Sequence, residues 1–373
     1  MEKRNEVMKK AIEFIKKETV LLVSAILAVV SMFFVPPSLG YIEYIDLKTI
    51  SLLFCLMAVM AGLREIGVFS AMANTLLERT KSFRAVSFIL IMLCFFTAML
   101  ITNDVALITF VPFAIEVVKK SGKSESVIPV VVLQTIAANL GSMLTPVGNP
   151  QNLYLYSLSG MSLGEFVLLV LPYTAVSFVL LVIANFTVKS STVDYKAEKN
   201  GFSAMLTAFY LVLFMVCMLT VANVLPYWAT FIIVTVAVII INRKLLLKVD
   251  YSLLLTFIFF FIFIGNMSNV DAFKNGVSSL LGGREILVSV LSSQVISNVP
   301  AAVLLSGFTE NIKELIVGTN IGGLGTLIAS MASLISYKIF AKEMPEKKKK
   351  YFWQFTMWNI IFLAVLSVFV III

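Results

Sequence analysis

Apolar runs of helix length alternate with short charged breaks along the whole chain. The spans read from this pattern are 19–36, 47–63, 128–160, 163–187, 202–222, 227–242, 251–268, 312–340 and 351–373. At a rise of about 1.5 Å per residue, roughly 20 apolar residues cross a hydrocarbon core of about 30 Å, the length most of these runs approach. They are continuous rather than alternating at period two. Within hydrocarbon each backbone group must be satisfied inside the protein, so such runs predict helices and not a transmembrane β-barrel. The predicted fold class is all-α, a polytopic membrane protein.

Two segments depart from this pattern. Ala85–Leu100 runs into Thr102-Asn103-Asp104, and Val105–Val118 then returns to Lys119 and Lys120. The return rises only about 21 Å, short of a full crossing. Ile286–Ile296 likewise runs into Ser297-Asn298-Val299-Pro300 and returns over Ala301–Phe308. Helix length therefore predicts re-entrant hairpins over 84–118 and 285–308, although two full crossings would leave the same charge pattern. With hairpins that enter and leave on one side, the ends 1–17, 64–84, 119–126, 188–200, 243–250 and 338–350 fall together and hold 25 of the 29 Lys and Arg. That bias places them, with the N-terminus, in the cytoplasm and the C-terminus outside the inner (plasma) membrane. One membrane domain results, in two inverted repeats over 19–190 and 201–373. Each carries a hairpin and then a broken helix, at 128–160 and 312–340, and an interfacial helix over 1–18 precedes them.

Composition narrows the chemistry. Hydrophobic residues make up 60% and charged residues 13%, against about 45–50% and 25% in soluble domains. Histidine is absent, which removes His-based catalysis, haem ligation and the usual zinc sites. Cys55, Cys94 and Cys217 lie singly in apolar runs, so no disulfide framework is predicted. The net charge of +8 comes from lysines beside apolar runs, which points to membrane lipid and not to nucleic acid. No cofactor is predicted beyond a coupling sodium ion or proton.

The candidate site residues are polar or helix-breaking groups at membrane depth. Gly141, Thr145, Pro146, Gly148, Asn149 and Pro150 should unwind one span, and Gly318, Asn320, Gly322, Gly323 and Gly325 another. The echo between Asn139-Leu140-Gly141-Ser142-Met143-Leu144-Thr145 and Asn320-Ile321-Gly322-Gly323-Leu324-Gly325-Thr326 pairs the two. Unwound carbonyls can coordinate a cation while adjacent helix N-termini face an anion. The expected lining is Thr102, Asn103, Asp104, Asn139, Gly141, Ser142, Thr145, Gly148, Asn149, Ser297, Asn298, Thr319, Asn320, Gly322 and Thr326. Sodium is expected at Asn103, Gly148, Asn298 and Gly318. Close helix packing is the competing reading of the glycines. Asp104 is the one carboxylate this topology leaves deep in the membrane, which marks it either as a coupling group or as a helix cap.

Thr102-Asn103-Asp104-Val105-Ala106-Leu107, Thr145-Pro146-Val147-Gly148-Asn149-Pro150 and Ser297-Asn298 resemble the ion transporter superfamily. It includes the citrate transporter-like and divalent anion:sodium symporter families and the arsenical pump membrane proteins. The resemblance covers the order of elements along the whole chain. It implies a homodimer whose two hairpin tips and two broken helices enclose substrate and sodium, moving in elevator fashion. The dicarboxylate branch carries Ser-Asn-Thr at both tips; the departures here lean toward the arsenical pump-like and sodium/proton antiporter-like branches. The expected function is secondary active transport of a small inorganic or carboxylate anion, coupled to sodium or protons. The alternatives are an arsenite-like exporter or a sodium/proton antiporter using Asp104, and, remotely, a membrane-embedded enzyme.

Overall fold

The computed structural model describes residues 18–78, 80–192 and 201–373. All but the last residue of the expected interfacial helix over 1–18 lies outside them. Among the described residues the regular structure is helical: α1 (Thr19–Ser31), α2 (Tyr41–Tyr44), α3 (Leu47–Ile66), α4 (Val68–Leu77), α5 (Phe83–Thr97), α6 (Asn103–Lys120), α7 (Val127–Gly141), α8 (Pro150–Ser159) and α9 (Leu163–Asn185) form the first half. The second half holds α10 (Ala204–Val221), α11 (Tyr227–Asn242), α12 (Tyr251–Met267), α13 (Asp271–Leu281), α14 (Glu285–Ile296), α15 (Asn298–Ser306), α16 (Ile312–Gly322), α17 (Met331–Glu343) and α18 (Lys348–Ile372). Among the described residues six helical stretches are long and apolar enough to cross a membrane, or seven if α12 and α13, bent by 106°, form one span. The chain is a multi-pass membrane protein.

Local chemistry sets many of the ends. Asp46 accepts from Thr49 N at 3.0 Å to cap α3, which stops at Gly67 in the left-handed conformation (φ 84°), where glycine carries no Cβ penalty. A reciprocal Ser162–Glu165 capping box starts α9. The span expected over 19–36 ends as a helix at Ser31, because the chain turns before Pro36-Pro37. The charged stretch 64–84 contains α4, which the sequence reading did not anticipate, and α13 occupies the matching place before the second hairpin.

Helices α5 and α6 pack on α7, and α14 and α15 on α16. Helix α8 joins the two groups by packing on α15 and α16, as α17 does by packing on α6 and α7. Around this body α3 packs with α10 and α11, and α1 with α12. Apolar side chains of α10 and α11 such as Met205, Val212, Ile232 and Ile240 point outward, the pattern of a lipid-facing wall.

Contacts between chain ends show which of them lie together. Phe83 N donates to Ser191 O at 2.8 Å, beside an isolated antiparallel bridge between Ser82 and Thr192. Lys119 pairs with Glu343 at 3.2 Å, Lys347 donates to Ser124 O at 3.4 Å, and Lys248 pairs with Glu65. Each of these contacts joins two ends that the Lys and Arg bias groups on one face. Lys48 Nζ donates to Asn223 Oδ1 at 2.6 Å, joining two ends assigned to the other face. Exposed ion pairs of this kind stabilise by at most about 1 kcal/mol each, so they report topology more than stability.

Candidate functional site

Both spans expected to unwind are broken. Helix α7 ends at Gly141; single 3-10 turns at Ser142–Leu144 and Pro146–Gly148 follow, separated by extended Thr145, and extended Asn149 leads into α8. Asn149 caps α8 by accepting from Asn152 N at 2.9 Å, and Pro150 suits the first helical position. In the second half α16 stays helical through Gly322, and the irregular segment runs from Gly323 to Ser330. Unwinding at Gly318, Asn320 and Gly322 is therefore corrected. A Cβ on Gly318 would lie 2.8 Å from Ile286 Cα, so that glycine serves close packing of α16 on α14.

The sequence echo corresponds to matched contacts. A Cβ on Gly141 would meet Phe95 O of α5 at 2.0 Å, and one on Gly322 would meet Val290 Cα of α14 at 3.1 Å. The Thr145 hydroxyl donates to Met99 O and that of Thr326 to Gln294 O at 3.2 Å. Met99 and Gln294 each lie four residues before the tip asparagine of their own hairpin.

The two breaks also exchange hydrogen bonds reciprocally. Asn320 Oδ1 accepts from Asn149 Nδ2 at 3.1 Å, and its Nδ2 donates to Asn152 Oδ1 at 2.6 Å. Asn139 Oδ1 accepts from Ser330 Oγ at 3.0 Å, and its Nδ2 donates to Ser333 Oγ at 3.0 Å. Asn139 with Asn320, Asn149 with Ser330, and Asn152 with Ser333 stand at one constant offset in the chain. Each hub asparagine thus reaches the same pair of positions in the opposite break. Buried polar groups are tolerated only when paired, and here the pairing ties the halves together. Ser142 links the knots, its hydroxyl donating to Asn139 O at 2.9 Å and accepting from Asn149 Nδ2 at 3.1 Å.

The hairpin tips meet these breaks. Asn103 Nδ2 donates to Asn139 Oδ1 at 3.0 Å, while Asn103 Oδ1 accepts from Asp104 N at 3.0 Å. At the second tip Ser297 has φ 76° and ψ 153°, a costly conformation for a side-chain-bearing residue. It is held where Asn298 N donates to Ala329 O at 2.9 Å. The Asn298 carboxamide lies against Gly323 and makes no hydrogen bond to the described residues, unlike that of Asn103.

The N-cap position of α6 belongs to Thr102, so Asp104 is not the cap; it sits in the first turn. Helix α6 starts earlier than read from the sequence and spans 18 residues, about 27 Å at the helical rise. Asp104, Thr102 and Pro150 line a cavity of about 110 Å³ whose other charged walls are Arg64, Lys248 and Asp250. A groove of about 480 Å³ lies at the opposite end of α8, between Ser159 and the 306–314 segment.

Among the expected lining residues, Thr319 stands apart, its hydroxyl donating to Leu315 O of its own helix at 2.7 Å. The sequence reading missed Asn152, Ser330 and Ser333, which extending the echo beyond Thr145 and Thr326 would have located. It also missed Gln294, and Glu285, a buried carboxylate accepting from Thr309 Oγ1 at 3.0 Å and Asn311 Nδ2 at 2.8 Å. Glu285 lies near a hairpin base, and nothing in its sequence neighbourhood foretells burial.

An all-helical membrane body with two helix breaks joined by polar side chains is the architecture of a transporter. Residues 7–313 match the family described as Citrate transporter, and the chain belongs to that family. It is 33% identical over 303 residues to the uncharacterized transporter MJ0456 of Methanocaldococcus jannaschii, covering 79% of this chain and 81% of that one. Similarity to the inner membrane protein YbiR of Escherichia coli is 28% over 325 residues, 85% and 84% of the two chains. A shorter match, 32% over 131 residues, links 34% of this chain to 26% of the silicon efflux transporter LSI3 of Oryza sativa subsp. japonica. The protein is a membrane transporter and not an enzyme.

Proposed function

We propose that this protein is a secondary active transporter of a small anion, a carboxylate or an inorganic oxyanion, bound between the two hairpin tips and the two helix breaks. The observation that carries this reading is the reciprocal exchange centred on Asn139 and Asn320, which gathers polar groups from both halves inside an apolar body. The carboxamide of Asn298, without a hydrogen-bond partner among the described residues, supplies a donor for the anion. Such exchange of equivalent contacts is what a two-fold relation produces, and it supports inverted repeats with hairpins opening to opposite faces. In an elevator-type cycle the body of broken helices would slide past the wall of α3, α10 and α11, as a homodimer in the inner membrane.

Coupling to a cation gradient is assigned to Asp104, because an ionisable group at membrane depth is costly unless it has a functional partner. Its place in a cavity with Arg64 and Lys248 also favours a second reading, proton-coupled export of the anion.

Uptake and efflux by proteoliposomes over citrate, succinate, sulfate, phosphate, arsenite and silicic acid, with sodium and proton gradients imposed separately, test this directly. Accumulation of at least one anion above equilibrium is expected; none moving under either gradient overturns the proposal. Cysteines introduced at Asn103 and Asn298 are also expected to react with water-soluble thiol reagents in the cycling protein and to be protected by the transported anion. Failure of either to react in an actively transporting variant refutes a site shared by the two tips.

A further inference from the structure

Several of the carbonyls at the two breaks already face side-chain amides. Asn152 Nδ2 faces three of them, Met143 O at 3.2 Å, Thr145 O at 3.3 Å and Ser142 O at 3.5 Å. Gln294 Nε2 faces Leu324 O at 2.9 Å and Gly322 O at 3.0 Å, together with Val290 O at 3.1 Å in its own helix. The amide orientations follow from these neighbours. Carbonyl oxygens only accept, so the nitrogen must face them, and the Gln294 oxygen accepts from Thr326 N at 2.9 Å. Asn152 is oriented the same way, its oxygen accepting from Asn320.

One carboxamide therefore stands at the focus of the carbonyls in each break, but the two come from different places. At the position equivalent to Asn152 the second half has Ser333, and at the position equivalent to Gln294 the first half has Met99. The same arrangement is reached by unrelated substitutions, which points to a requirement at each break. Backbone carbonyls gathered at membrane depth need a positive partner, either a cation or an N–H donor.

We propose that the side-chain amides of Asn152 and Gln294 are tethered substitutes for cations at the two helix breaks, so that no sodium ion binds there. Both breaks then stay ordered without a coupling ion, and the ion dependence of the cycle falls to Asp104 alone. This consequence for coupling rests on the transporter reading above. Sodium binding itself is measured without any transported anion, so the two can fail separately.

The test is calorimetry and thermal unfolding of purified full-length protein at pH 8, with sodium chloride titrated against choline chloride at constant ionic strength. In an Asp104→Asn background, which removes the carboxylate assigned to coupling, the protein is expected to show no sodium-binding heat and no saturable rise in Tm. Gln294→Glu keeps an oxygen for Thr326 N but sets a carboxylate oxygen among the carbonyls, and Asn152→Asp does the same in the first break. Each variant is expected to acquire a saturable, sodium-selective rise in Tm that potassium does not reproduce, because only a cation relieves the clustered oxygens. Saturable stabilisation of the Asp104→Asn protein by sodium overturns the proposal, as does either folded variant that ignores sodium in that background. If neither variant folds, the Asp104→Asn titration decides.

Discussion

Asp104→Asn is expected to insert and fold normally yet lose gradient-driven accumulation, while counter-exchange of the transported anion survives. The substitution keeps the size of the side chain and removes only its ability to carry charge. Capping does not confuse the result, since Thr102 and not Asp104 occupies the N-cap of α6. The cavity that Asp104 shares with Arg64, Lys248 and Asp250 gives its carboxylate charged neighbours, and no described residue holds that carboxylate by a hydrogen bond. The expected loss is on the order of tenfold to a hundredfold, the scale of a coupling free energy of about 1–3 kcal/mol. Accumulation ratios under an imposed proton gradient, measured beside exchange rates in the same vesicles, make the comparison. Unchanged ion dependence in the variant sinks the coupling role.

Gly141→Ala is expected to cause the largest loss of stability of any single methyl addition in the first half. The added Cβ would sit 2.0 Å from Phe95 O and 2.9 Å from Phe95 Cα, backbone atoms that cannot swing aside as a side-chain end can. Helices α5 and α7 would have to separate, carrying the tip with Asn103 away from Asn139. Overpacking of this kind costs about 1–3 kcal/mol and occasionally more, so a drop in Tm together with transport lost beyond detection is expected. Gly164→Ala is the control. It lies in the first turn of α9 with nothing within 4 Å of an added Cβ, and a stability gain of up to about 1 kcal/mol is expected from helix propensity. Equal Tm for the two variants would refute the close-packing account of Gly141.

Membrane spans were legible because hydrocarbon imposes a length and a composition that no soluble helix needs, as the uninterrupted runs of α9, α10, α11 and α18 show. The breaks were legible for a related reason: Pro146, Gly148 and Pro150 in one apolar run cannot all sit in a regular helix. Glycine is the counterexample. Gly318 and Gly148 look alike in sequence, yet Gly318 packs inside a continuous helix while Gly148 turns back onto Ser142 O, because the difference depends on what approaches from another element. Helices α4 and α13 were missed because short amphipathic segments lying beside a span follow no bilayer length.

By itself the sequence determined that this chain lives in a membrane, which two of its spans are broken, and which polar residues stand between the paired helices, because these follow from local composition and chain length. Tertiary structure alone decided the partners: that Asn320 crosses to Asn149 and Asn152 while Asn139 crosses to Ser330 and Ser333, that Gln294 fills the second break, and that Asp104 opens into a charged cavity. A hydrogen bond between residues far apart in the chain costs no local propensity and leaves no periodicity. It exists only once packing of the apolar faces has brought the two breaks within about 3 Å of each other.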